Sequence, residues 1–154
     1  ALGNGAADYI LKPLRGKQIL DRVSDFLNRR LSSILIADDD VTIRSLLEHR
    51  FRSTGCRVLL AEEGVQALEI IQTEMPTLVI LDRMMPGLDG ASVMQKMREN
   101  PLLQSIPVIF LTAKHMEEDI VEGLGQGAVD YIVKPFNPNE VVSRCLRHLK
   151  SEKA

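Results

Sequence analysis

The chain has 154 residues, 45% hydrophobic and 26% charged, with a formal net charge of -2 from 19 basic and 21 acidic side chains. That is the composition of one globular domain with a substantial core. There is no basic excess of the kind that attracts nucleic acid, and no apolar run approaches the roughly 20 residues of a membrane span. The chain opens on Ala1-Leu2-Gly3-Asn4, not on a charged leader. Cys56 and Cys145 stand far apart, and His49, His115 and His148 do not cluster with them. The reading is a cytoplasmic protein with reduced thiols and no zinc site, with neither nucleic acid nor membrane as a partner.

Residues 1–28 align without gaps to residues 123–150. Gly5, Ala6, Asp8, Tyr9, Ile10, Lys12 and Pro13 recur as Gly127, Ala128, Asp130, Tyr131, Ile132, Lys134 and Pro135. The second copy closes a unit that begins near Ser32, whereas the first has no such unit before it. We therefore expect an excerpt of a longer protein: residues 1–31 as the strand-helix remnant of a preceding domain plus linker, 32–150 as a complete domain, and 151–154 as a tail. The remnant's helical part carries Ile19, Leu20, Val23, Phe26, Leu27 and Leu31 at helix spacing. It reads as a connecting helix or as an apolar face that recruits a partner. The strand over 7–11, without its own sheet, is expected to be adhesive.

From Ser33 the pattern alternates. A short apolar strand over 33–37 is followed by a helix over about 41–54, capped by Asp40, with Ile43, Leu46, Leu47 and Phe51 on one face. Gly55 stops it. A strand over 57–61 leads to a helix over 64–74, and Pro76 punctuates. The run 77–81 (Thr-Leu-Val-Ile-Leu) is too short for a helix and has no polar alternation, which marks a strand buried on both faces. A helix from about Ala91, capped by Asp89, ends before Pro101. A strand over 107–111, a helix over 117–124, a strand over 129–133 and a helix over 138–149 complete the unit. Five strands each followed by a helix predict right-handed crossovers and a parallel sheet covered on both faces.

In a parallel sheet all strand ends open on one edge, where such folds place their chemistry. The first strand ends in Asp38-Asp39-Asp40, the third in Asp82, the fourth in Thr112-Ala113 and the fifth in Lys134-Pro135. Glu62-Glu63 after the second read as solvated charge. Taken singly, each has an ordinary reading as a turn former, a helix cap or a solvated side chain. Together they form a set. Converging carboxylates repel unless a cation joins them, and a hard divalent ion with oxygen ligands, above all Mg2+, answers that need. A carboxylate nucleophile, Mg2+, a lysine and a hydroxyl suit phosphoryl transfer to an aspartate.

Four motifs in order carry a resemblance. They are Ile34-Leu-Ile-Ala-Asp38-Asp39-Asp40, Leu78-Val-Ile-Leu-Asp82-x-x-Met85-Pro86-Gly87-Leu88-Asp89-Gly90, Pro107-Val-Ile-Phe-Leu-Thr112-Ala113, and Gly127-Ala-x-Asp130-Tyr131-Ile-x-Lys134-Pro135-Phe136. Residues 32–150 resemble the receiver domain of bacterial two-component response regulators. Residues 1–30 resemble only the last strand and helix of a second receiver. The resemblance implies a flavodoxin-like fold with strand order 2-1-3-4-5 and a phosphorylation-dependent signalling switch. Asp82 would accept a phosphoryl group from a sensor histidine kinase or a phosphotransfer protein. Asp39 would hold Mg2+ directly and Asp38 largely through water, with Asp82 and the Met84 backbone carbonyl completing the set. Lys134 would contact the phosphoryl group and the acids. Thr112 would turn its hydroxyl to the phosphoryl group, and Tyr131 would move from an outward to an inward position. The readout surface would comprise the helix over 117–124, the fifth strand and the last helix. The resemblance also implies a cis Lys134-Pro135 peptide, and a receiver-receiver dimer or an output domain in the parent protein. In the family resembled, the positions held by Met84 and Lys114 tune phosphoryl lifetime.

Two other readings compete. A phosphohydrolase of the haloacid-dehalogenase kind needs a second acid two residues after the first, and that position is Met84. A degenerate receiver kept as a scaffold would have lost an acid, the phosphoacceptor or the lysine, and all are present. The chain is thus read as no enzyme beyond its own phosphorylation and dephosphorylation.

Overall fold

The computed structural model describes residues 32–113 and 127–151, with side chains described through residue 149. The repeat copy at 1–31 and the helix expected over 117–124, with Lys114 before it, lie outside the described residues. Within them the order is β1 (Ser33–Ala37), α1 (Val41–Arg52), β2 (Arg57–Ala61), α2 (Gly64–Glu74), β3 (Leu78–Asp82), α3 (Gly90–Arg98), β4 (Val108–Ala113), β5 (Asp130–Lys134) and α4 (Pro138–Ser151). The five strands form one sheet of order β2-β1-β3-β4-β5, every pairing parallel. This is the flavodoxin-like order expected.

Period-two alternation splits the core into two layers. Leu35, Ala37, Val79, Leu81, Val108, Phe110 and Tyr131 face α2 and α3, where Ala67, Ile71, Val93, Met94 and Met97 meet them. Ile34, Ile36, Leu78, Ile80, Ile109, Leu111 and Ile132 face α1 and α4, against Leu47, Phe51, Val141, Val142, Cys145 and Leu149. The central strands β1 and β3 are buried at every residue, which is why their sequences are unbroken apolar runs. The outer strand β2 exposes Arg57.

Local chemistry sets the helix ends. Asp40 accepts from the Thr42 amide at 2.9 Å and Asp89 from the Ser92 amide at 2.8 Å, each capping the helix that follows. Gly64 starts α2 without a side-chain cap, and that helix ends at a left-handed Met75. One expectation is corrected: the buried side of α1 is Arg44, Leu47 and Phe51, while Leu46 is exposed. The spacing of Arg44, Leu47 and Phe51 suits a helix face, and Arg44 finds partners that allow its burial. Strand ends also run further than expected. Asp82 pairs with Leu111 and Lys134 with Ala113 in the ladder, so Asp82, Thr112 and Lys134 are strand residues and not members of the loops beyond. The Lys134-Pro135 peptide is cis, as the resemblance implied.

Candidate functional site

Parallel pairing brings the ends of β1, β3, β4 and β5 to one edge. Asp38 follows Ala37, whose register partners are Ala61 and Leu81, so Asp38 and Asp82 stand side by side. Both are buried, Asp38 completely and Asp82 to 6% exposure, while Asp39 is exposed. Carboxylate oxygens of Asp38, Asp39 and Asp82 lie within 4.8 Å of one another. Lys134 reaches in from β5. Its Nζ donates to Asp38 Oδ2 at 2.9 Å and pairs with Asp82 Oδ2 at 3.4 Å. The Met84 amide donates to Asp82 Oδ1 at 3.2 Å, and the Asp40 amide to Asp38 Oδ1 at 2.9 Å.

The electrostatics follow from this crowding. Burial, and then the charge of Asp38, push the Asp82 carboxyl up to about 7, against the opposing pull of Lys134 and the Met84 amide. Burial works to lower Lys134, but the hydrogen bond to Asp38 and the charges of both acids outweigh it and hold the ammonium above its ordinary range. Two buried acids and one lysine leave the cluster short of positive charge. Hard oxygen donors in that condition suit a divalent cation such as Mg2+.

Two further residues sit on the opposite layer. Thr112 is 1% exposed, and its Oγ1 has no hydrogen-bond partner among the described residues. A buried hydroxyl without a partner costs about 1–3 kcal/mol. Tyr131 is buried, its ring centroid 5.1 Å from that of Phe110 at a tilt of 32°. That burial is incompatible with a simple surface aromatic.

Other neighbours complete the site, and of these only Arg44 had no place in the sequence reading. Arg44 donates from Nη1 to the Asp38 carbonyl at 2.7 Å and pairs through Nη2 with Glu62 at 3.2 Å. Its only sequence signal was its helix spacing from Leu47 and Phe51. Glu62, read as solvated charge, is exposed as expected but carries this ion pair. Gly90 sits where a Cβ would fall 2.5 Å from the Asp82 carbonyl oxygen, so α3 can begin directly against the end of β3. Met84 is 61% exposed and provides no second acid.

Residues 34–146 match the family described as response regulator receiver domain. The chain is 47% identical over 111 residues to the Cyanophora paradoxa protein named probable transcriptional regulator ycf27, covering 72% of this chain and 45% of that protein. It is 43% identical over 111 residues to the alkaline phosphatase synthesis transcriptional regulatory protein PhoP of Bacillus subtilis, with the same coverage of 72% and 45%. The chain thus spans about half the length of the curated relatives it matches. Among solved structures, the Francisella response regulator 1452 receiver domain superposes with a TM-score of 0.72 at 33% identity, over 80% of this chain and 99% of that one. The chemotaxis response regulator CheY4 of Vibrio cholerae does so with a TM-score of 0.70 at 30% identity, over 77% and 98%. No helix of the described residues is long and apolar enough to cross a membrane. The relatives are named as transcriptional regulators, so the expectation of no nucleic-acid partner finds no support in them. The four motifs, the strand order and these matches agree: the chain belongs to the response regulator receiver domain family.

Proposed function

We propose that Asp82 is the phosphoacceptor of a signalling switch, taking its phosphoryl group from a phosphohistidine of a sensor histidine kinase or a phosphotransfer protein. A carboxylate oxygen of Asp82 forms the new O–P bond. The P–N bond of the phosphohistidine breaks, and its electron pair stays on the imidazole, which is protonated. Water later cleaves the acyl phosphate, returning the carboxylate and inorganic phosphate. The observation that carries this reading is the placement of Asp82, buried between Asp38, Asp39 and Lys134 at the carboxyl edge of the sheet.

Asp38, Asp39 and Asp82, with the Met84 carbonyl, are the residues that would hold Mg2+. Bound there, the ion supplies charge to offset the carboxylates and the phosphoryl oxygens. Lys134 is already tethered to Asp38 and Asp82 and turns its ammonium to the phosphoryl group. Thr112 offers a hydroxyl whose partner is otherwise missing. Tyr131 follows it, its ring lying against Phe110 from the same strand as Thr112. We read its burial here as the inward position, so the switch also requires an outward state in the other form. Relatives are named as transcriptional regulators, and we read an input role in transcription control for this domain. In the parent protein that role engages either an output domain or a second receiver.

The test is intact-protein mass after incubation with acetyl phosphate and Mg2+. One phosphoryl increment is expected, absent in Asp82→Asn and absent with a chelator. Retention of the increment by Asp82→Asn would reassign the acceptor. Sustained phosphate release from a phosphomonoester would instead make the protein a phosphohydrolase.

A further inference from the structure

The chemistry above leaves one buried charge unused. Arg44 is 8% exposed and is the one buried cationic side chain among the described residues. It rises from the first turn of α1, three residues beyond Val41, and its guanidinium spans two strand ends. Nη1 meets the Asp38 carbonyl after β1, and Nη2 meets Glu62 after β2. The Asp38 amide is tied as well, donating to the Ala61 carbonyl at 3.1 Å. Both backbone groups of Asp38 are therefore fixed, as are both of its carboxylate oxygens, by Asp40 and Lys134.

Asp39 is different. It is exposed, and its carboxylate makes no hydrogen bond or ion pair among the described residues. Yet one of its oxygens lies within 4.8 Å of those of Asp38 and Asp82. Among the described residues, what directs it is the backbone that carries it. The Asp38 carbonyl and the Asp39 amide belong to one rigid plane. Fixing that carbonyl at 2.7 Å fixes the direction in which Asp39 leaves the strand.

We propose that Arg44 is a positioning residue for the metal site, holding the Asp38-Asp39 peptide so that the exposed Asp39 carboxylate stands among the ligands. This rests on the reading of Asp38, Asp39 and Asp82 as the Mg2+ site. Arginine suits the task. Its planar fork gives two fixed donors and keeps its charge when buried, and it approaches Asp38 from the backbone side, taking up none of the carboxylate oxygens of Asp38, Asp39 or Asp82. A residue serving only to fill space would need the aliphatic stem and not the guanidinium.

The test is titration calorimetry of the unphosphorylated full chain with MgCl2, alongside its phosphorylation rate from acetyl phosphate at saturating Mg2+. Arg44→Met keeps the stem and loses the fork; it is expected to weaken Mg2+ binding at least about tenfold, the usual size of an outer-shell effect, while the rate at saturation changes far less. Glu62→Gln, which leaves the Asp38 contact intact, is expected to bind Mg2+ as the wild type does. A folded Arg44→Met with wild-type Mg2+ affinity overturns the proposal. Should Arg44→Met not fold, Arg44→Lys carries the same test, a loss of affinity at unchanged far-ultraviolet dichroism supporting the role and unchanged affinity overturning it. A wild-type chain that takes up no Mg2+ overturns the metal site and this role together, whereas wild-type binding with Arg44→Met unaffected overturns the role alone.

Discussion

Asp82 carries a charge the fold resists, and that has a measurable sign. Its carboxyl is raised to about 7 from an ordinary 3.8, so the folded state holds a proton that the unfolded state has released. Stability should be greatest at acid pH near the ordinary value and fall as pH rises from about 4 to about 7. With a chelator present, Asp82→Asn should flatten that slope and stabilise the chain at pH 8 by on the order of 2 kcal/mol, read as an upward shift in urea midpoint. An unchanged slope would mean the acid cluster is not strained. Thr112 makes the complementary case. Replacing its unpartnered hydroxyl with a methyl in Thr112→Val should stabilise the fold by about 1 kcal/mol and at the same time slow phosphorylation from acetyl phosphate. A loss of stability would show that the hydroxyl has a partner in the resting state.

At the level of elements, close approach matters more than propensity. A Cβ on Gly64 would fall 1.8 Å from the Leu88 carbonyl oxygen, so the start of α2 rests on the backbone of the segment between β3 and α3. Backbone cannot move aside as a side chain can. Gly64→Ala is expected to cost about 3 kcal/mol, measured as a fall in urea midpoint at unchanged denaturant dependence. Helix and strand identities were legible in the sequence because each central strand is an unbroken apolar run and each helix an amphipathic one. Their limits were less so. Asp82 and Lys134 look like loop residues by chemistry, and only the pairing of Asp82 with Leu111 and of Lys134 with Ala113 makes them strand. The inward turn of α1 was misread at Leu46 for a related reason. A helical pattern ranks leucine above arginine for burial, and only the tertiary partners Asp38 and Glu62 reverse that order at Arg44.

For the whole molecule, the convergence of Asp38, Asp39, Asp82 and Lys134 could be anticipated, since parallel strands must end on the same side. The raised Asp82 carboxyl and the burial of Tyr131 could not, because both depend on packing across strands. Composition also suggested reduced thiols, and both cysteines are free and buried. Burial pushes the Cys145 thiol well above its ordinary value, so the thiolate that reacts is scarce. Native protein at pH 8 should leave dithiobis(nitrobenzoate) unreacted over minutes, and unfolded protein should titrate both thiols. Rapid reaction of the native chain would show that the α1-α4 layer opens.

The single chemical edge has a further consequence, for how the domain is wired. β1 starts at Ser33, at the opposite pole from Asp82, and each helix that leaves the chemical edge runs back along the sheet toward that same pole. Whatever is joined ahead of residue 32 or beyond residue 151 is therefore attached on the far side of a sheet five residues deep, roughly 16 Å at the rise of a strand. On the proposed reading, a phosphoryl donor approaches Asp82 from the edge opposite these points of attachment. On that same reading, news of the phosphoryl group travels the length of the strands, with input and tethers at opposite terminals.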